Sequence, residues 1–228
     1  MSTTVTVRDA TSDNIGPITA IYAHHVESSL ATLAKDIPSE PDMHKRINDI
    51  QKKSLPFLVA ISSATDDEEI ICGYAYADDW SARGGYAPAA EDTIYVHPDY
   101  QRGGIGKQLL KALVERLLSC KGKTQLLARM FISPGRKPEV LAPCRLHTSL
   151  SFKLVGRMEE VGLKLGQWVD VVIYQLDLGK LRAKGESRSQ RRSVEATSAL
   201  VCESTGCVLS TMDERLGNAG TDMGDWRS

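Results

Sequence analysis

The sequence is poor in cysteine and has no cysteine pairs: Cys72, Cys120, Cys144, Cys202 and Cys207 are odd in number and scattered through 228 residues. Structural zinc sites and disulfide scaffolds need short, repeated spacings, so both are excluded and the five read as free thiols in a reducing compartment. An excess of either charge is also missing. With 28 Lys and Arg against 29 Asp and Glu the formal net charge is -1, which argues against a dedicated nucleic-acid binder. No uninterrupted apolar run reaches the roughly 18 residues of a membrane span, and the stretch from Met1 to Thr6 lacks the charged and apolar regions of a secretion signal. The expectation is a cytoplasmic protein with no membrane contact. What is there is the composition of a globular domain, 42% hydrophobic and 25% charged, in a chain long enough for one domain with an appendage.

Hydrophobic periodicity supplies the elements. Thr4 to Arg8 alternates β-branched and polar residues, which predicts a strand, and Ser12 or Asp13 can cap a helix with Ile15, Ile18, Ile21, Tyr22 and Val26 on one face. A second amphipathic helix follows Pro41, with Met43, Ile47 and Ile50 at helical spacing, and stops before Pro56. Phe57 to Ile61 and Ile70 to Ala77 are short apolar runs joined by the acidic turn Asp66 to Glu69, which reads as an antiparallel hairpin. Trp80 to Ala90 is rich in Gly, Ala and Pro and reads as a loop, after which Thr93 to Val96 resumes a strand. Leu109, Leu110, Leu113 and Leu117 then mark one face of a helix. Leu126 to Phe131 is a further strand and Cys144 to Leu150 a short helix, followed by strands Leu154 to Leu163 and Trp168 to Leu176 that turn at Gly166-Gln167. No internal repeat is visible.

After Leu178 the composition changes. Lys180 to Arg192 carries six basic residues and one acid, and the remainder is rich in Ser, Gly and Thr. Such a segment buries too little apolar surface to offset chain entropy, so the expectation is a domain over 1–178 and a low-complexity, disordered tail over 179–228. The basic run reads as a nuclear address, a nucleic-acid contact or a solvated tail, the last being the simplest.

The segment Gln101-Arg102-Gly103-Gly104-Ile105-Gly106-Lys107 lies between a predicted strand and a predicted helix. A glycine turn there exposes backbone N–H groups at the positive end of the helix dipole, which suits a phosphate or pyrophosphate. The nucleoside-triphosphate loop, G-x-x-x-x-G-K followed by Ser or Thr, fails twice: Gln101 stands at its first glycine and Gln108 follows Lys107. A dinucleotide fold needs an acid at a strand end about 20 residues on, where this chain has Leu126-Leu127-Ala128-Arg129. Coenzyme A remains, its pyrophosphate on the N–H groups and its other phosphate charge within reach of Arg102 and Lys107. Against it stands the plain reading of a turn whose glycines only permit tight packing.

At these residues the sequence resembles the GNAT superfamily of acyl-CoA-dependent N-acyltransferases, whose pyrophosphate loop has Gln or Arg, two free positions, Gly, one free position and Gly or Ala. Gln101, Gly104 and Gly106 fill that pattern. The chain is similar, more narrowly, to the phosphinothricin N-acetyltransferase-like branch over roughly Val5 to Leu178. The matching stretches are Gly73-Tyr74-Ala75-Tyr76 with Trp80, Arg83 and Tyr86, then Glu91 to Pro98, and finally Gly162 through Lys164 to Val171. The resemblance implies an α/β (α+β) GNAT fold, a mixed and mostly antiparallel twisted sheet flanked by helices.

It also implies chemistry. The function expected is transfer of an acetyl group from acetyl-CoA, as co-substrate, to the primary amine of a small amino-acid-like molecule, in detoxification or natural-product tailoring. An alkylammonium must lose a proton before it can attack a thioester, and Glu91 occupies the place of the general base. Tyr95 and Val96 would offer backbone groups to the pantetheine arm, and Gln101, Arg102, Gly103, Gly104, Ile105, Gly106 and Lys107 would hold the pyrophosphate. Arg83 and Tyr86 fall where the acceptor's charged group would bind, an arginine fork suiting a carboxylate or phosphinate; His147 matches a histidine of the late helix. Trp80 and Trp168 read better as core, and Cys144 as a bystander thiol. No metal is required, and homodimerisation is implied by the resemblance.

Two departures stand against the branch pattern. Val140 and Pro143 occupy positions where relatives carry Asn and Ser on the late helix, and Leu33 and Ser81 stand where a phosphinothricin enzyme would have an aromatic and a basic residue. Strict phosphinothricin specificity is therefore not expected. The rival readings are acetylation of a protein N-terminus or lysine, which needs an open groove, and a non-catalytic acyl-CoA-binding module.

Overall fold

The computed structural model describes residues 4–63 and 69–187. The first strand, β1, is Thr4–Asp9, and a 3-10 turn at Ser12–Asn14 leads into helix α1, Ile15–Ser28. The turn is closed by Asn14, whose Oδ1 accepts from the Thr11 amide at 3.0 Å. Helix α2, Glu40–Lys52, starts two residues earlier than the sequence predicts because Ser39 and Asp42 cap each other's amides, with Pro41 in the first turn. Strand β2 is Phe57–Ser63 and β3 is Glu69–Asp79, paired antiparallel as the hairpin reading requires. The connecting turn, save Glu69, lies outside the described residues.

Strand β4, Ala89–Val96, follows a short 3-10 turn at Gly84–Tyr86; helix α3 is Ile105–Ser119 and strand β5 is Gln125–Ile132. Helix α4, Ala142–Ser149, and the hairpin of β6, Lys153–Lys164, with β7, Gln167–Asp177, complete the sheet. The strands lie in the order β1-β2-β3-β4-β5-β7-β6. Among the described residues only β4 and β5 run parallel, so the sheet is mixed and mostly antiparallel, as in the GNAT fold. Leu109, Leu110, Leu113 and Leu117 of α3 are all fully buried, which makes this helix the central pillar of one face of the sheet. Gly73 lets β3 and β4 approach: a Cβ on it would lie 2.7 Å from the Tyr95 carbonyl oxygen.

Two expectations about the periphery fail. The domain does not end at residue 178: residues 178–187 are helical, a segment here labelled α5. Leu178 is buried and Leu181 packs on the core. Arg182 donates to the carbonyls of Leu117, Leu118, Cys120 and Lys123 at 2.7 to 2.9 Å. Those acceptors sit at or just beyond the negative end of α3, where a guanidinium is favoured, so a residue read as part of a basic run is a cap. Residues 188–228, with the rest of the expected tail, lie outside the described residues. Trp168 is not core either: at the start of β7, beside the edge strand, it is 53% exposed. Its neighbours on the hairpin are exposed too, Val155, Met158, Val161 and Leu163 among them.

Candidate active site

The β4–β5 pairing stops halfway. Ala89 to Asp92 match Gln125 to Ala128, and no later pair exists between the two strands. From Thr93 onward β4 pairs only with β3, and from Arg129 onward β5 pairs only with β7. A wedge therefore opens between the two central strands, with its apex at Asp92 and Ala128.

The direction of each main-chain group along the wedge follows from the register. The His97 amide donates to the Cys72 carbonyl at 2.8 Å, so in the alternating antiparallel pattern Tyr95 also bonds β3, while Ile94 and Val96 turn their amides and carbonyls away from it, into the wedge. Tyr95, expected to offer its backbone to a ligand, thus has its own polar groups on the β3 side. Its ring packs among Tyr22 and His25 of α1 and Tyr74 of β3. Ile94 is a wedge-facing donor that sequence reasoning missed; the signal was available in strand parity but needs the register. The Val96 carbonyl already accepts one hydrogen bond, from His25 Nε2 at 3.0 Å. Burial lowers the pKa of His25, so the ring is neutral, and Nε2 must carry its proton because a carbonyl can only accept.

Gln101 to Gly104 are exposed and lead from β4 to the N-terminus of α3. Gly104 caps the helix in the left-handed region, φ 81°, and Arg102 shares that region at φ 64°. The amides of Lys107 and Gln108 both turn back to the Gly104 carbonyl. Those of Ile105 and Gly106 have no helical acceptor and point out of the helix at its positive end. Lys107 is exposed beside them. Gly106 sits between Leu146 of α4 and Val96, which would lie 3.4 and 3.8 Å from a Cβ there. The loop amides and the wedge are therefore adjacent parts of one surface.

Glu91 is at the apex, inside β4 rather than before it. Its carboxylate is gripped side-on by Arg129 of β5, Nε to Oε1 at 2.5 Å and Nη2 to Oε2 at 2.7 Å. Burial raises the Glu91 pKa, and the hydrogen bond and charge of Arg129 oppose that rise. Trp80 is half-buried, and the Arg129 guanidinium lies over its ring at 5.4 Å. The expected core tryptophan is instead a platform for this arginine. Arg129 was missed as a site residue; its signal was a lone charge inside the apolar strand Gln125–Ile132, which demands a partner.

The other expected residues sit apart. Arg83 and Tyr86 are exposed on the β3–β4 loop, Tyr86 to 49%, and neither hydrogen-bonds Glu91. His147 does not face an acceptor: it is buried, with Nδ1 2.8 Å from the Pro143 carbonyl and Nε2 3.3 Å from both oxygens of Asp92. Cys144 is buried, and burial raises its pKa, which makes it a poor nucleophile.

Comparison with known proteins agrees with this geometry. Residues 23–131 match the acetyltransferase (GNAT) family. The phosphinothricin N-acetyltransferase of Alcaligenes faecalis is 34% identical over 76% of this chain and 82% of its own length. The L-methionine sulfoximine/L-methionine sulfone acetyltransferase of Salmonella typhimurium is 32% identical over 76% of this chain and 95% of its own. A crystal structure of a GNAT superfamily phosphinothricin acetyltransferase from Sinorhizobium meliloti, in complex with acetyl-CoA, superposes with a TM-score of 0.68 at 33% identity, covering 76% of this chain and 88% of that one. The chain belongs to the GNAT N-acetyltransferase family, in its phosphinothricin-acetyltransferase-like branch.

Proposed function

We propose that the protein transfers an acetyl group from acetyl-CoA to the α-amine of a small amino-acid-like acceptor, with Glu91 as general base. The observation that carries this reading is the wedge, which leaves unpaired main-chain donors on β4 between a half-buried carboxylate and a helix N-terminus. The residues fit the coenzyme: the Ile105 and Gly106 amides suit a pyrophosphate, Arg102 and Lys107 answer further phosphate charge, and the Ile94 and Val96 amides suit carbonyl oxygens of the extended arm. The thioester supplies the activated acetyl group. Glu91 takes the ammonium proton, for which a carboxylate made more basic by burial is better suited than a solvated one. A wedge-facing amide would steady the carbonyl oxygen as charge develops on it.

Relatives act on phosphinothricin and on methionine sulfoximine or sulfone, all amino acids with a polar tetrahedral centre in the side chain. The same class is the first choice of acceptor here. The purified protein, given acetyl-CoA and a panel of these compounds with ordinary amino acids and simple amines, should release free thiol. Absence of release across the panel would overturn the reading. The exposed apolar face of the β6–β7 hairpin is a surface suited to the homodimer expected from the sequence, and sedimentation velocity measures it.

A further inference from the structure

We propose that Arg129 is the receptor for the acceptor's carboxylate. Its unused guanidinium edge takes the anion while the edge bound to Glu91 keeps the base beside the same molecule's amine. The proposal rests on the reading above of an amino-acid-like acceptor with Glu91 as base.

Four observations lead to it. Arg129 follows Ala128, the last residue of β5 to match β4, so it stands where the wedge opens. Along β5 it is the one exposed position, with its side chain 45% accessible, whereas that of Glu91 is only 16% accessible. A charge needed solely to keep Glu91 ionised has no reason to face solvent. Glu91 uses Nε and Nη2, and the remaining three of the five N–H donors of Arg129 meet no hydrogen-bond acceptor among the described residues. Two of those three, one on each Nη, form the end-on fork, whose spacing matches a carboxylate. Finally, the guanidinium lies over the Trp80 ring, a contact that limits its motion and so reduces the entropy lost when an anion docks.

The acceptor's shape favours this pair. In an α-amino acid the ammonium and carboxylate are joined through one carbon, so a site that reads both must hold an anion and a cation side by side. Glu91 and Arg129 touch each other and are at the apex. Arg83, exposed on its loop, forms no ion pair with a carboxylate among the described residues. No ion pair has to break for the acceptor to bind, because the two carboxylates occupy different edges of one guanidinium.

The test compares L-methionine sulfone with its methyl ester, which keeps the amine and side chain and removes the anion. Thiol release is followed for the wild type, Arg129→Leu and Arg129→Lys. In the wild type the free acid should have much the lower KM. In Arg129→Leu its KM should rise about 10- to 100-fold, while that of the ester changes little, so the preference disappears. Loss of the guanidinium's support of Glu91 should lower kcat and raise the acid limb of the pH profile for both substrates alike, which separates that role from binding. Arg129→Lys keeps the charge without the fork; it should hold the pH limb and still lose most of the preference. It also serves if the leucine variant does not fold. A preference for the free acid that survives in either folded variant overturns the proposal while leaving the acetyltransferase reading intact. A wild type that releases no thiol with any amine sinks both.

Discussion

His147 and Asp92 meet at 3.3 Å in the interior, fastening α4 to β4 directly behind the apex of the wedge. Burial pulls the histidine's pKa down, but the Asp92 charge and hydrogen bonds raise it further, and the net shift is upward. A histidine held above its unfolded value stabilises the fold fully below about pH 6.5. That contribution fades as pH rises through the folded value. Melting temperature measured from pH 5.5 to 9 should therefore fall on the alkaline side, and His147→Gln should flatten that slope. Removing one member of such a buried pair costs about 3 to 5 kcal/mol.

Glu91→Gln should reduce turnover about 10²- to 10⁴-fold and leave acetyl-CoA binding, measured by calorimetry, almost unchanged. Burial sets the Glu91 pKa above the ordinary glutamate range, against the pull of Arg129. The base works only when deprotonated, so wild-type kcat/KM should drop as pH falls through that raised value. The glutamine variant should lack this acid limb.

The Tyr74 hydroxyl is fully buried and has no hydrogen-bond partner among the described residues. Its ring stacks on Phe57 at 5.8 Å, an arrangement phenylalanine would keep. Tyr74→Phe should raise stability by about 1 to 2 kcal/mol, because it removes an unmet polar group without opening a cavity. Urea unfolding monitored by circular dichroism checks this; a lower midpoint would mean that the hydroxyl has a partner.

Arg182→Ala should cost about 2 to 3 kcal/mol, since one guanidinium satisfies four carbonyls around the end of α3. A chain truncated after Leu178 should be destabilised at least as much. One ending at Lys184 should melt close to the full-length protein.

The order and kind of the elements were legible because their physical causes are local. The periodicity of Leu109 to Leu117 and the alternation of Thr4 to Arg8 are written in consecutive residues, and so are the glycines that open α3. What stayed hidden depends on partners distant in the chain. Arg182 lies in a stretch whose composition suggests solvation, yet its acceptors are about sixty residues earlier. Arg129 meets Glu91 only because β4 and β5 lie side by side as far as Asp92 and Ala128. The orientation of Tyr95 against Ile94 and Val96 is a matter of hydrogen-bond parity, which no single strand reveals. Trp168 misled because a large aromatic next to a predicted strand suggests burial, whereas its strand borders the edge of the sheet.

The imidazole of His25 closes off one half of what Val96 could contribute to the wedge. With one lone pair of that carbonyl spent on the imidazole, the amide hydrogen is the stronger offer the strand makes there. A molecule threaded along β4 is best matched when it brings an oxygen to that level. One presenting an N–H instead would compete with the imidazole for a single oxygen, so the wall of the groove biases the register of its guest before any chemistry begins.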